Sequence, residues 1–153
     1  GYIYFHDSNS KLSELKECVE KEARIRLSAN TPIQKAAVAA LRGPEQHIEE
    51  MVKKLRERRN YSWKRLNEIK GIGCAKPEGA FYVFPKVKEV GSKWKTDQEF
   101  VLQLLEETGV LVVHGSGFGV PHGAGHFRGV ILPPLETLES AFNELERFMS
   151  KHV

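Results

Sequence analysis

Residues 114–134, HGSGFGVPHGAGHFRGVILPP, gather Gly115, Gly117, Gly119, Gly123, Gly125 and Gly129 into one stretch. Each glycine disfavours a helix interior by about 1 kcal/mol relative to alanine, so the stretch reads as a loop. It runs into the apolar strand Val130, Ile131, Leu132, which the pair Pro133-Pro134 stops. The loop thus delivers one arginine, Arg128, to the edge of that strand. A guanidinium is permanently charged and presents a planar fork of donors, which suits a carboxylate or a phosphate. A fixed arginine beside pliable glycine backbone points to an anion site.

The rest of the chain alternates helical and strand patterns. Residues 1–5, GYIYF, read as a strand, followed by a polar turn over 7–10. Leu12, Leu15, Val19, Ala23 and Leu27 recur at three- and four-residue steps and predict a helix over 11–27. In the next helix Thr31 is the expected cap, Pro32 lies in the first turn, and Gln34 completes a Thr-x-x-Gln capping box. This helix reaches Leu41 and stops at Gly43. Pro44 opens a longer helix to Ile69, with the stripe Ile48, Met51, Val52, Leu55, Trp63 and Leu66. Strands over 72–75 and 80–84 about the turn 76–79 read as an antiparallel hairpin.

Thr96-Asp97-Gln98-Glu99 is a second capping box, ahead of Phe100, Val101, Leu104 and Leu105, with Gly109 closing the helix. Residues 110–113 read as a buried strand. The last helix, over 135–151, carries the face Leu138, Ala141, Phe142, Leu145, Phe148 and Met149. The expected fold class is α/β (α+β): a small, mainly antiparallel sheet of four to five strands covered by helices.

A chain of 153 residues fits one domain and buries roughly 68–70% of its unfolded surface. The net charge of +3 comes from interleaved signs, so no nucleic-acid partner is expected. Lys53, Lys54, Arg56, Arg58 and Arg59 alternate with Glu49, Glu50 and Glu57 and read as a solvated helix face. Cys18 and Cys74 are isolated, as expected of reduced thiols. No apolar run reaches the ~18 residues that cross a membrane, and no signal-peptide layout is present, so a cytoplasmic location without membrane contact is expected. A chain that opens on a strand without an initiator Met points to a segment removed or split away upstream.

Other chemistries fit the glycine stretch less well than anion binding by Arg128. Gly115-x-Gly117-x-Gly119 lacks dinucleotide-loop spacing and a following Lys-Ser/Thr, and it meets Pro121 instead of opening a helix. Ser116 is flanked two places away by His114 and Phe118, where a nucleophile elbow needs glycines. His114, His122 and His126 lack a compact ligand pattern and are expected to make ordinary hydrogen bonds, with no metal. For Arg128 itself two readings stand: a tie to a helix C-terminus or surface acid, and an anion grip.

Taken in order, Asn30-Thr31-Pro32-x-Gln34, Pro77-x-Gly79-Ala80-Phe81-Tyr82, Gly115-x-x-Phe118-Gly119, Gly125-His126-Phe127-Arg128 and Pro133-Pro134 resemble a known family. It is the C-terminal, small-domain part of the class I/II aminotransferases, fold-type-I pyridoxal-phosphate enzymes of the aspartate and alanine aminotransferase group. The resemblance covers essentially the whole chain as a single aminotransferase-like domain, with 1–43 as a linking segment to a large domain and 44–153 as the small-domain core. It implies that Arg128 binds the α-carboxylate of an amino acid or 2-oxo acid, with no catalytic residue in this chain. It further implies that Phe81 and Tyr82 face the substrate and cofactor, and that Ser28 to Thr31 form a loop, with Asn30 and Thr31 as its candidate site residues, that approaches a partner subunit's active site. Gly129 departs from the apolar residue usual after the arginine.

Pyridoxal phosphate is the implied cofactor of the full-length family. Its chemistry needs a Schiff-base lysine, an acid for the ring nitrogen and a phosphate site. No lysine here stands in the family's Schiff-base context, so the chain alone is expected neither to bind the cofactor nor to transaminate. Two other readings remain: a subunit of a split aminotransferase that pairs with a large-domain polypeptide, and a non-catalytic module for dimerisation or interaction, forming a homo-oligomer. The face that a large domain covers is expected to leave apolar surface exposed.

Overall fold

The computed structural model describes residues 3–26 and 28–153, and the chain divides into two units, Gly1–Glu45 and Gln46–Val153. In the first unit, helix α1 spans Ser13–Ala23. Its entry is tied by Asp7, whose carboxylate accepts from the backbone N–H of Lys11 at 2.9 Å and of Leu12 at 2.8 Å. These bonds hold the turn predicted over 7–10 and satisfy donors ahead of the helix. The helix is shorter than expected, and Leu27 lies outside the described residues. So do Gly1 and Tyr2 of the expected first strand, whereas Ile3, Tyr4 and Phe5 form no strand. A strand needs a partner ladder, and the described residues of this unit provide none.

Helix α2 spans Thr31–Arg42. Its cap is Asn30, not Thr31: Asn30 Oδ1 accepts from Ile33 N at 3.3 Å, while Gln34 Nε2 donates back to the Ala29 carbonyl at 3.0 Å. Asparagine caps better than threonine, and the one-residue shift leaves Thr31 and Pro32 as the first two helical residues. Neither helix of this unit buries a residue, and Ile33, Val38 and Leu41 of α2 are exposed.

The second unit opens with α3, Gln46–Glu68, and contains strands β1 (Ile72–Gly73), β2 (Tyr82–Val83) and β3 (Lys86–Val87), helix α4 (Asp97–Thr108), strand β4 (Val113–His114), the one-turn helix α5 (Val120–Gly123), strand β5 (Phe127–Val130) and helix α6 (Leu135–His152). The fold is mixed α/β, with its strands in two small antiparallel sheets, β1-β3 and β2-β5-β4. They are linked where Lys86 bridges His126, Val87 N donates to Gly125 O at 2.8 Å and Phe127 N to Pro85 O at 3.0 Å.

The expected hairpin between 72–75 and 80–84 does not form. Ile72 pairs with Val87, and Tyr82 pairs with Val130. Two local causes act. The backbone of Cys74 is saturated by α3 side chains: its N–H donates to Asn67 Oδ1, and its carbonyl accepts from Trp63 Nε1 and Asn67 Nδ2. β1 therefore ends at Gly73. Pro85, which has no N–H to give a ladder, separates β2 from β3 and passes the chain from one sheet to the other.

The core lies between the sheets and α3, α4 and α6. Leu138, Phe142, Leu145, Phe148 and Met149 of α6 are buried as their spacing predicts, with Ala141 partly so. α4 is capped as expected: Thr96 Oγ1 accepts from Glu99 N at 3.1 Å, and Gly109 closes it in the left-handed region at φ 74°. The Glu99 carboxylate reaches one residue further back than a standard box, to Lys95 N at 2.7 Å. Residues 110–113 are not a buried run. Val110 and Val112 turn inward while Leu111 and Val113 are exposed, the alternation of a strand open on one side.

The α3 stripe is buried only at its C-terminal end, by Leu66, with Leu55 and Trp63 half-buried and Ile48, Met51 and Val52 exposed. The basic residues of α3 are not all solvated: Arg58 donates to the Leu132 carbonyl and Arg59 to the Pro77 carbonyl. Arg65 pairs with Glu146 at 2.5 Å, joining α3 to α6 and holding the Glu146 carboxyl below its usual range. Cys18 is exposed and Cys74 buried, both free thiols, and burial pushes the Cys74 thiol up. No helix of the described residues is long and apolar enough to cross a membrane.

A second cross-link fixes the C-terminus. Glu107 on α4 accepts from Lys151 Nζ at 2.6 Å and lies 3.1 Å from His152 Nε2 on α6. The Lys151 and Gln103 hydrogen bonds draw its carboxyl down from 4.5 to about 2. A depressed carboxyl contributes stability above its ordinary value and loses it as pH falls towards the folded one. The melting temperature of the wild-type chain is therefore expected to exceed that of Glu107→Gln above pH about 4.5, with the gap closing towards pH about 2. The pair is exposed, so added salt is expected to narrow the gap as well. A gap independent of pH contradicts the assignment.

Candidate functional site

Arg128 sits inside β5, the central strand of its sheet, and not at the edge of an apolar run over 130–132. The reason is register. Val113 pairs with Arg128, and His114 with Phe127, so the glycine stretch closes back on β4. Alternation along β5 then assigns the faces: Phe127 is buried in the core, with Ile131 beyond the strand's end, and Arg128 stands on the opposite face. Gly129 keeps the ladder intact opposite Val83, whose Cγ2 lies 3.1 Å from where a Cβ on Gly129 would stand.

The guanidinium is held between two rings. Its Cζ is 4.5 Å from the Tyr82 ring centroid and 4.1 Å from that of Phe118. Tyr82 reaches it because Tyr82 opposes Val130, which makes Tyr82 and Arg128 diagonal neighbours on one face of the sheet. Phe118 comes from the glycine stretch, and Phe84 meets it edge-on at 6.1 Å while stacking on His126 at 5.1 Å. Among the described residues no carboxylate pairs with Arg128, and its buried Nε donates to nothing. The tie to a surface acid or helix end is thus replaced by two aromatic contacts, which stabilise a cation without neutralising it.

The glycine stretch is a packed turn. Residues Gly115–Phe118 form a 3₁₀ turn, and α5 follows, a helix that the glycines and Pro121 were expected to prevent. Proline is tolerated there because a first-turn N–H needs no helical partner. Gly115 and Gly123 press backbone on backbone: a Cβ on Gly123 would lie 2.0 Å from the Gly115 carbonyl oxygen. These glycines serve close approach of two chain segments and leave no phosphate cradle between them. Two of the three histidines make ordinary hydrogen bonds, His114 Nδ1 to Ser116 Oγ at 2.9 Å and His126 Nδ1 to Ala124 O at 3.1 Å.

The structure brings Arg128 and Tyr82 together. Phe81, its ring 4.6 Å from that of Tyr82, is half-buried and lines a shallow groove with Val52, Leu55, Arg56 and Arg59 of α3. The turn before it is strained, since Ala80 takes φ 57°. Asn30 and Thr31 belong to the first unit, where Asn30 is engaged in capping α2. Sequence reasoning missed Phe118 as the second face on Arg128 and Asp97 as a buried polar residue that contacts the turn. The only signal for either was position, Phe118 between two glycines and Asp97 after a cap.

The chain belongs to the aminotransferases of class I and II, whose family model matches residues 1–145. Glutamate-pyruvate aminotransferase AlaA of Haemophilus influenzae is 41% identical over 99% of this chain and 38% of its own length. Aspartate aminotransferase of Bacillus subtilis is 43% identical over 78% of this chain and 30% of its own. Among solved structures, an alanine aminotransferase from Pyrococcus furiosus superposes with a TM-score of 0.87 at 57% identity, covering 94% of this chain and 36% of that one. The chain thus spans less than two-fifths of the length of these relatives.

Proposed function

We propose that this chain supplies the carboxylate grip of an aminotransferase, with Arg128 binding the α-carboxylate of an amino acid or 2-oxo acid. The observation that carries the reading is a half-buried guanidinium held between Tyr82 and Phe118 with no acid of its own. Its Nε is buried, so the Nη1/Nη2 end of the fork is the end a ligand can reach. A carboxylate meeting that end makes two parallel charge-assisted bonds, which fix its direction as well as its place. Holding the carboxylate fixes the adjoining Cα, the atom whose bonds must be aligned for transamination. The names of the similar proteins, glutamate-pyruvate, alanine and aspartate aminotransferases, support amino and 2-oxo acids as the ligand class.

Pyridoxal phosphate is the cofactor this family membership implies, and it supplies the electron sink of the reaction. The rings against Arg128 are those of Tyr82 and Phe118, the latter backed by Phe84 and His126, and none of these four side chains is a lysine amine or an acid for the ring nitrogen. They fit the substrate carboxylate and do not by themselves fit the cofactor. Incubated with pyridoxal phosphate and L-alanine, the 153-residue chain is expected to form no more pyruvate than free cofactor does. Robust pyruvate formation overturns this reading of the chain as the carboxylate side alone.

A second reading, an association module within a split or homo-oligomeric enzyme, is favoured by the exposed Ile48, Met51 and Val52 of α3. A stable homodimer without affinity for amino acids in sedimentation and calorimetry would select it over the first.

A further inference from the structure

We infer that Asp97 is a positioning residue for Arg128, acting through Ser116 and Phe118; this rests on reading Arg128 as the carboxylate grip. Asp97 is the first residue of α4 and is only 4% exposed. Its two carboxylate oxygens are both engaged by one residue of the glycine stretch: Ser116 N donates to Oδ2 at 2.6 Å and Ser116 Oγ to Oδ1 at 3.0 Å. The same hydroxyl lies 2.9 Å from His114 Nδ1. A buried carboxylate at the start of a helix thus holds a turn nineteen residues away in sequence.

What that turn carries is Phe118. The ring lies 4.1 Å from the Arg128 Cζ, yet it is 48% exposed, with Phe84 as its one aromatic neighbour among the described residues. Its chain neighbours are Gly117 and Gly119, and Gly119 takes φ 118° with nothing within 4 Å of its Cβ direction. Glycines on both sides leave the backbone of Phe118 free to leave the guanidinium unless the turn is anchored. The Asp97–Ser116 pair is that anchor, two residues before the ring. Asp97 touches no ligand in this scheme; it sets the ring that confines the arginine, so that the fork need not be immobilised on binding.

The test is NMR of the arginine Nε–Hε groups in the 153-residue chain, with the Arg128 signal assigned by its loss in Arg128→Lys. In the wild type this Hε is expected upfield of the exposed arginines, shielded by two rings. In Asp97→Ala it is expected to move towards them. Asp97→Asn is expected to restore it, because the amide oxygen can accept from Ser116 N while the amide nitrogen donates to Ser116 Oγ. Ser116→Ala, which removes one of the two bonds, is expected to fall between.

Pyruvate affinity is expected to drop about two- to tenfold in Asp97→Ala, the loss that immobilising one long side chain on binding brings, and to recover in Asp97→Asn. An unmoved Arg128 Hε in a folded Asp97→Ala overturns the inference. If that variant does not fold, an unmoved signal in Ser116→Ala does so. Signal changes as expected in a chain that binds no pyruvate uphold the positioning and reject the carboxylate reading instead.

Discussion

Arg128→Ala is expected to weaken amino-acid and 2-oxo-acid binding by about 2–5 kcal/mol, roughly thirtyfold to several thousandfold, with a smaller loss of stability. The two effects separate because of how the side chain is held. No carboxylate in the described fold depends on it, so its removal strands no charge. It contributes two cation–π contacts, each worth about 0.5–2 kcal/mol, and removing the buried, unpartnered Nε offsets part of their loss. Arg128→Lys keeps the charge but loses the fork and the flat contact with both rings. It is expected to bind more weakly than arginine and more tightly than alanine. Calorimetric titration beside thermal melting reads both quantities, and a stability loss matching the binding loss contradicts the assignment.

The second large effect concerns the scaffold. Trp94→Ala is expected to destabilise the second unit by about 3–5 kcal/mol. Trp94 is 1% exposed, meets Phe100 edge-on at 5.0 Å and stacks on Phe148 at 5.8 Å, and its Nε1 donates to Gln103 at 2.7 Å. Phe100 stacks in turn on Phe127, the residue before Arg128, at 5.7 Å. Alanine leaves a void where three aromatic residues converge and cannot refill it by collapse. Trp94→Phe is expected to cost less, chiefly some packing volume and one hydrogen bond worth about 1 kcal/mol. Urea unfolding followed by circular dichroism, with the remaining Trp63 as a fluorescent reporter, measures this. A midpoint within error of wild type overturns the placement of Trp94 in the core.

The link from Trp94 through Phe100 to Phe127 also ties the strand bearing Arg128 to the aromatic core. Phe127 anchors the core side of β5 and Arg128 uses the other side, so fixing one side chain fixes the direction of the next. The turn bearing Phe118 is held instead by backbone contacts, Gly115 against Gly123, and by the Asp97 carboxylate on Ser116.

Local chemistry made parts of this fold legible in the sequence. The α6 face, the Thr96 cap and the Gly109 stop depend on neighbours within about one helical turn, and they lie where their spacing indicates. Arg128 was legible because a lone arginine at the end of a glycine stretch is chemically conspicuous, and the ordered motifs pointed to the family. Strand pairing was not legible. Ile72 had two equally apolar partners in Val83 and Val87, and the choice was made by Asn67 and Trp63, which consume the backbone groups of Cys74. The exposed half of the α3 stripe misled for a related reason: periodicity marks an apolar face but not whether anything covers it. Nothing in the sequence tied Asp97 to Ser116, a contact that exists only after α4 and β4 have packed.

The central claim is that Arg128 receives a carboxylate. It is tested most directly by titrating the 153-residue chain with L-alanine and, separately, with L-alaninamide, which lacks the carboxylate, while following the Arg128 Nε–Hε signal. The account expects a saturable shift with L-alanine, none with L-alaninamide, and none with either ligand elsewhere on the arginines of α3. Equal responses to both ligands, or L-alanine binding that leaves the Arg128 signal unmoved, contradict it.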